Sequence, residues 1–251
     1  MKRFLVIILL VSQGAFAQTN VSRTIEVRQG QKVIMDFPYA DLVNLRGWNG
    51  STIEISADVL INLGKNDDSY EVQSQERNGV SEINGTIRDY ENIPEMITLM
   101  KDGQLYYFET DDWNSPEIHK FYEEYGREGI NWVSHGVART ITLDIKIPQN
   151  IGSLEISSKF GLIDVEGLNL ALKASSTHGG VDVAISALAK NDFVLDSEWG
   201  TIYSNLDLEF KKKSGFEKAD EWNHLECSMN GGGGTKTELI SIHGNIYLRK
   251  E

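Results

Sequence analysis

Apolar and polar residues alternate with a period of two along much of the chain. Thr24-Ile25-Glu26-Val27, Lys32-Val33-Ile34-Met35-Asp36-Phe37 and Thr52-Ile53-Glu54-Ile55-Ser56 each repeat an apolar residue at every second position. Such runs, rich in β-branched residues, predict half-buried strands. Gly30, Gly47 and Gly50 punctuate them as turn residues. The cleanest alternation is Thr140-Ile141-Thr142-Leu143-Asp144-Ile145-Lys146-Ile147, and Pro148 breaks it.

Residues 63–138 depart from this pattern. Acids and turn residues are frequent, as in Asn66-Asp67-Asp68 and Asp111-Asp112. Ile118, Phe121, Tyr122 and Tyr125 follow a helical spacing. Ser115-Pro116 suits the start of that helix and Gly126 its stop. Tyr106, Tyr107, Phe108, Trp113, Phe121, Tyr122, Tyr125 and Trp132 concentrate in the same region. The cluster serves either to cap an open end of the core or to face a ligand or partner. On the second reading Trp113, Trp132, Tyr106 and Tyr122 form the candidate interaction surface. On the first, their large apolar area is simply buried.

Beyond Arg139 one short phrase recurs. Phe160-Gly161-Leu162-Ile163-Asp164-Val165 is echoed by His178-Gly179-Gly180-Val181-Asp182-Val183, by Trp199-Gly200-Thr201-Ile202-Tyr203 and by His243-Gly244-Asn245-Ile246-Tyr247. The form is a ring residue, a glycine, any residue, then Ile or Val. Gly161 to Gly179 is 18 residues, Gly179 to Gly200 is 21, and Gly200 to Gly244 is 44, close to two further steps. Trp48-Asn49-Gly50-Ser51-Thr52-Ile53 reads as a degenerate earlier copy. A period near 20 points to stacked units, each too small to bury its own apolar face. The expectation is an all-β, right-handed β-solenoid or β-helix-like stack, with strands about 4.8 Å apart. An antiparallel sandwich with glycine turns is the competing arrangement. In the stack, Gly161, Gly179, Gly200 and Gly244 are structural turn residues. They are needed for positive φ or for close approach of neighbouring backbone. Ile163, Val165, Val181, Val183 and Ile202 point inward, and Asp164 and Asp182 fall on the outer face at equivalent positions. Residues 18–40 and the aromatic insertion are candidate caps for the open ends, which would otherwise template aggregation.

The first residues carry a different signal. Lys2-Arg3 precedes the apolar run Phe4–Val11, and Ala15-Phe16-Ala17 supplies small residues at the positions a signal peptidase reads. Residues 1–17 are therefore expected to be a signal peptide, too short in its apolar core to span a bilayer. The remainder, 18–251, reads as one β-repeat domain, irregular over 63–138 and regular over 139–251. With Lys2 and Arg3 removed, the 24 basic residues fall to 22 against 37 acids, a net charge of −15. Such a chain repels nucleic acid and anionic lipid. The one basic run, Lys211-Lys212-Lys213, reads as a solvated turn between Glu209 and Glu217. Cys227 is the single cysteine, so no intrachain disulfide can form. An exported fold without cross-links must rest on its own core and backbone pairing.

Several of these phrases resemble the bacterial putative-adhesin domain family with β-strand repeats, a domain of unknown function like an autotransporter adhesin head. Leu45-Arg46-Gly47-Trp48-Asn49 is similar to its early Gly-Trp phrase. Ile145-Lys146-Ile147-Pro148 is similar to the strand that precedes its repeats, and Leu154 to Gly161 to the first repeat. Met229-Asn230 with Gly231 to Gly234, and Thr237 to Arg249, resemble its Gly-rich turn and terminal phrase. The similarity covers 139–251 well and 21–62 weakly; residues 63–138 depart from it. It implies a β-solenoid-like envelope or surface protein with no assigned catalytic residues.

Candidate chemistry is sparse. A zinc-protease helix, a Walker loop and a Gly-x-Ser-x-Gly elbow are all missing, and Lys236 does not follow Gly231–Gly234 in Walker order. His178 and His243 stand where Phe160 and Trp199 stand in other repeats, so they read as ring-shaped fillers rather than metal ligands. Cys227 lies in an alternating stretch and reads as a small buried residue rather than a nucleophile. Asp67-Asp68 and Asp111-Asp112 offer oxygens to calcium, without the EF-hand or repeat-type calcium phrase. The sequence therefore predicts an exported, non-enzymatic protein of the periplasm, cell surface or medium. It would need no cofactor or metal and would bind an envelope protein or glycan. The rivals are a polysaccharide-active β-helix enzyme using Asp164 and Asp182, and an envelope sensory or regulatory component.

Overall fold

The computed structural model describes residues 19–214 and 222–251. The expected signal peptide and Glu217 lie outside the described residues. The first half of the chain runs β1 (Thr19–Glu26), β2 (Lys32–Asp36), β3 (Leu42–Trp48), β4 (Thr52–Ile61), β5 (Tyr70–Arg77), β6 (Val80–Ile87), β7 (Met96–Lys101), β8 (Gln104–Phe108), α1 (Pro116–Tyr125), β9 (Ile130–Gly136) and β10 (Arg139–Pro148). The second half runs β11 (Ser153–Ser158), β12 (Leu162–Glu166), β13 (Ala171–Ser176), β14 (Val181–Ile185), β15 (Asn191–Ser197), β16 (Ile202–Ser204), β17 (Glu209–Ser214), β18 (Asn223–Met229), β19 (Thr235–Ser241) and β20 (Ile246–Lys250). The protein is all-β in class.

Two large open sheets carry the core. One has eight strands in the order β1-β4-β10-β3-β12-β14-β20-β16, and the other nine in the order β17-β18-β15-β19-β13-β11-β2-β6-β5. Both are mixed. From β10 to β16 in the first sheet and from β6 to β15 in the second, neighbours run parallel, with antiparallel strands added at the β1 end of the first sheet and at both ends of the second. The chain crosses from the nine-stranded to the eight-stranded sheet within each repeat, giving the rungs β2–β3, β11–β12, β13–β14, β15–β16 and β19–β20.

Period-two alternation decides which side chains meet between the sheets. Val43, Ile163, Val181 and Ile246 form one inward row, and Leu45, Val165, Val183 and Leu248 the next. Facing them are Met35, Ile156, Ala174, Leu239, Leu195 and Leu225 in a single register row of the other sheet. All of these are buried in one continuous cluster. Each buried aliphatic side chain contributes about 1.5–3 kcal/mol by leaving water, so the core needs no covalent staple.

Spatial order differs from chain order in one place. Rung β19–β20 lies between β13–β14 and β15–β16 in both sheets. The 44-residue gap between Gly200 and Gly244 is therefore not two further steps outward. The chain instead builds the antiparallel hairpin β17–β18 beyond β15, then returns to fill the space it left.

Four further expectations are corrected. The register sets Leu42 and Val43 against Leu162 and Ile163, while Asp36 faces Ser157. The early counterpart of Phe160-Gly161 is thus Tyr39-Ala40, and Trp48-Asn49-Gly50 lies at the far end of β3. Only β1 of residues 18–40 sits on an edge; β2 is an interior strand between β6 and β11. Residues 70–87 form β5 and β6 of the nine-stranded sheet, so the part standing apart from the two large sheets is narrower than 63–138. Lys211-Lys212-Lys213 is the edge strand β17 with a bulge after Phe210, not a turn. Lysines and a bulge on an open edge discourage pairing with another chain.

A candidate binding cleft on the insertion sheet

Strands β8, β7 and β9 form a third sheet, separate in hydrogen bonding from the other two. Ser115 caps α1, its Oγ accepting from the Ile118 backbone N–H at 3.4 Å, with Pro116 in the first turn. Gly126 ends the helix at φ 69°. The helix lays Ile118 and Phe121 on one face of the small sheet against Ile97, Leu99 and Phe108. Tyr106 and Tyr122 pack against this second core, with Tyr106 and Phe121 ring centroids 4.8 Å apart.

Alternation turns the other residues of β7, β8 and β9 to the opposite face. Leu105, Met100 and Trp132 form one cross-strand row, and Tyr107, Thr98 and Ser134 the next. These six residues make one wall of a cleft of about 690 Å³. The other wall includes Leu60 of β4 and Thr140 of β10, which are register partners on the outer face of the eight-stranded sheet. Leu63, Asn131, Asp41 and Arg139 complete the lining used below. Trp132 is 47% exposed and Tyr107 39%, so the aromatic wall is open to solvent.

Arg139 ties the cleft to a stack of rings. Its guanidinium donates to the Tyr39 carbonyl and the Asp41 carboxylate, and Asp41 also accepts from the Ile141 N–H at 2.9 Å. The same guanidinium lies 4.8 Å from the Phe160 ring centre and 5.9 Å from that of Tyr39. Phe160 stacks on His178, and His178 on His243. Among the described residues no group of three or more His, Cys, Asp or Glu side chains is placed to hold a metal ion.

The turn under each ring contains a serine that the ring-glycine phrase did not reveal. Ser158, Ser176 and Ser241 each accept, through Oγ, from the N–H of the glycine three residues on, at 2.9–3.1 Å. Ser176 and Ser241 also donate to the glycine carbonyls of the neighbouring rung, Gly161 and Gly179. Ser197 holds the same place before Gly200, buried and without such a bond. The full phrase is Ser-x-ring-Gly, legible four times in the sequence. At Gly179, Gly200 and Gly244 an added Cβ would overlap the backbone of the adjacent rung, so close approach, not positive φ, demands glycine there.

The register-equivalent acids Asp164 and Asp182 are paired side by side on the outer face. Arg249 Nε lies 2.6 Å from Asp182, and its Nη2 lies 2.8 Å from Glu166 and 3.3 Å from Asp164. Arg46 reaches Asp164 at 2.7 Å and Glu166 at 3.3 Å. The Arg249 hydrogen bond and the Arg46 charge hold the Glu166 carboxyl below its ordinary range. Asp67 accepts from the Ile61 N–H at 2.6 Å, and Asp112 from the Asn114 N–H at 2.8 Å. Cys227 is buried opposite Phe193, and burial pushes its thiol up to about 11.

The four expected surface aromatics do not share one surface. Trp132 lines the cleft; Tyr106 and Tyr122 belong to the core under α1; Trp113 meets His135 edge-on at 6.3 Å. Tyr107 belongs to the aromatic cluster read from the sequence but not to its four candidate surface residues, and Leu105 and Met100 carry no aromatic signal; their alternation with Tyr106 and Leu99 is the feature that places them on this face. No helix of the described residues is long and apolar enough to cross a membrane.

No protein-family model matches the chain, and no curated protein matches it in sequence. Among solved structures it is similar to a "putative cell adhesion protein" from Clostridium sporogenes, with a TM-score of 0.45 and 8% identity over 93% of this chain and 100% of that one. It is also similar to a "putative adhesin" from Bacteroides fragilis, with a TM-score of 0.22 and 10% identity over 92% of this chain and 97% of the other. Likenesses this distant carry no argument about role.

Proposed function

We propose that this is an exported, non-enzymatic envelope or surface protein that binds a partner through the cleft between the insertion sheet and the eight-stranded sheet. The observation that carries the reading is the cleft wall: Trp132 and Tyr107 are held half-exposed by a small sheet whose other face is pinned by α1. Exposed aromatics fixed on a rigid element are anchors for recognition, because little side-chain entropy is lost on binding. The parallel rungs serve as a β-solenoid-like scaffold, right-handed by the usual chirality of parallel crossovers. Residues 1–17 direct export, and adhesion is the role such a surface suits.

A carbohydrate-cleaving enzyme is the weaker reading. Its expected acids, Asp164 and Asp182, are engaged with Arg249, whereas glycoside hydrolysis needs one carboxyl free to give up a proton.

The test is capture of the purified protein on an array of envelope glycans and extracellular matrix proteins, with calcium and with chelator. Saturable binding that the double variant Trp132→Ala, Tyr107→Ala loses, at unchanged β-content, is expected. A blank array from the folded wild-type protein would overturn the reading.

A further inference from the structure

The chemistry of the two walls defines the ligand more narrowly: we infer that the cleft takes a short, neutral oligosaccharide. This rests on the cleft being the working surface, as proposed above. One wall is apolar and aromatic, with Leu105, Met100, Trp132 and Tyr107 in adjacent rows. Interleaved with it are the side chains of Thr98, Asn131 and Ser134, and Thr140 faces them from the other wall. No hydrogen bond within the protein engages these four side chains among the described residues. A purely apolar occupant would strip water from four hydroxyl and amide groups and return nothing, which is costly for each group left unpaired. A sugar meets both demands. Its C–H faces cover the aromatic rings, and its hydroxyls exchange donors and acceptors with Thr, Ser and Asn.

Charge then selects among sugars. The two ionised groups in the lining, Asp41 and Arg139, are spent on each other and on backbone groups. Asp58 lies on the same outer face of the eight-stranded sheet, one row from the Leu60–Thr140 pair, and Asp144 one row further on. An acidic saccharide would gain no unpaired cation there and would be repelled by those carboxylates. The volume of about 690 Å³ lies within the roughly 300–1,000 Å³ of small-ligand sites, room for more than a single ring.

Isothermal titration of the purified protein with chitotetraose, cellotetraose and mannotetraose, and with decanoate and tetragalacturonate as counter-probes, tests this. At least one neutral tetrasaccharide is expected to bind at a single site. Trp132→Ala should weaken it about tenfold, the loss of one aromatic stacking partner. Thr140→Val, which keeps shape on an exposed position of β10, should weaken it several-fold and leave thermal unfolding unchanged. Failure of all three neutral probes, stronger binding of decanoate or tetragalacturonate, or indifference to both substitutions would overturn the inference. Trp132-dependent capture on deglycosylated matrix proteins alone would retain the binding function and discard the saccharide. A blank on every surface would remove both.

Discussion

The imidazole rings of His178 and His243 stack with their planes 3° from parallel and centroids 4.9 Å apart, although their rungs are not consecutive in the chain. They meet because β19–β20 is seated between β13–β14 and β15–β16. Without residues 235–251, β15 and β16 lose their parallel neighbours β19 and β20, and β13 and β14 gain open edges. A chain stopped after Gly234 is expected to lose its cooperative unfolding transition, measured by circular dichroism during chemical denaturation. The milder change Leu239→Ala, at a fully buried centre of that rung, should cost about 2–5 kcal/mol in the same experiment.

The turn glycines give a sharper test of close stacking. A methyl group on Gly244 would overlap the Gly179 carbonyl of the next rung. Gly244→Ala must push two rungs apart and should cost more than Ser241→Ala. The latter removes hydroxyl bonds to Gly244 and Gly179 and should cost about 1–3 kcal/mol. Urea midpoints of the two variants would rank them, and equal or smaller loss for Gly244→Ala would contradict the packing described.

His224 makes stability depend on pH. Its Nδ1 lies 2.7 Å from Asp196 and its Nε2 3.1 Å from Glu226. The Asp196 hydrogen bond, then that of Glu226, raises the imidazole above its ordinary value, against partial desolvation and the Lys212 charge. A raised folded-state value stabilises fully below the unfolded value near 6.5 and is lost as pH rises through the folded value. The same contact lowers Glu226, so its share is present above the ordinary glutamate range and is lost as pH falls. The pair thus stabilises most in mildly acidic solution. Thermal midpoints from pH 5 to 9 should fall more for the wild type than for His224→Gln; parallel curves would remove this assignment.

Much of the architecture could be read from residue order alone. The alternation of Thr140–Ile147 is β10, the Asp164 and Asp182 equivalence is a register pair, and Ser115, Pro116 and Gly126 bound α1 as observed. The position of β19–β20 could not be read. Its phrase resembles those of its neighbours, and any rung can pair with any other until the whole stack selects one arrangement. The cleft was half visible: Trp132 was named, but Leu60, Thr140 and Arg139 reach it only through long-range pairing of β4 with β10. The partners of Asp164 and Asp182 were hidden likewise, because Arg46 and Arg249 come from opposite ends of the chain.

The seating of β19–β20 also imposes an order of events during synthesis. A ribosome delivers β13 to β16 before the strands that belong between them exist. If β15 paired directly with β13 in that interval, the site for β19 would be sealed, and that pairing would have to break before the native one could form. Such long-range parallel pairing is slow to find. The nascent chain is therefore best served by staying open until residue 250 has emerged.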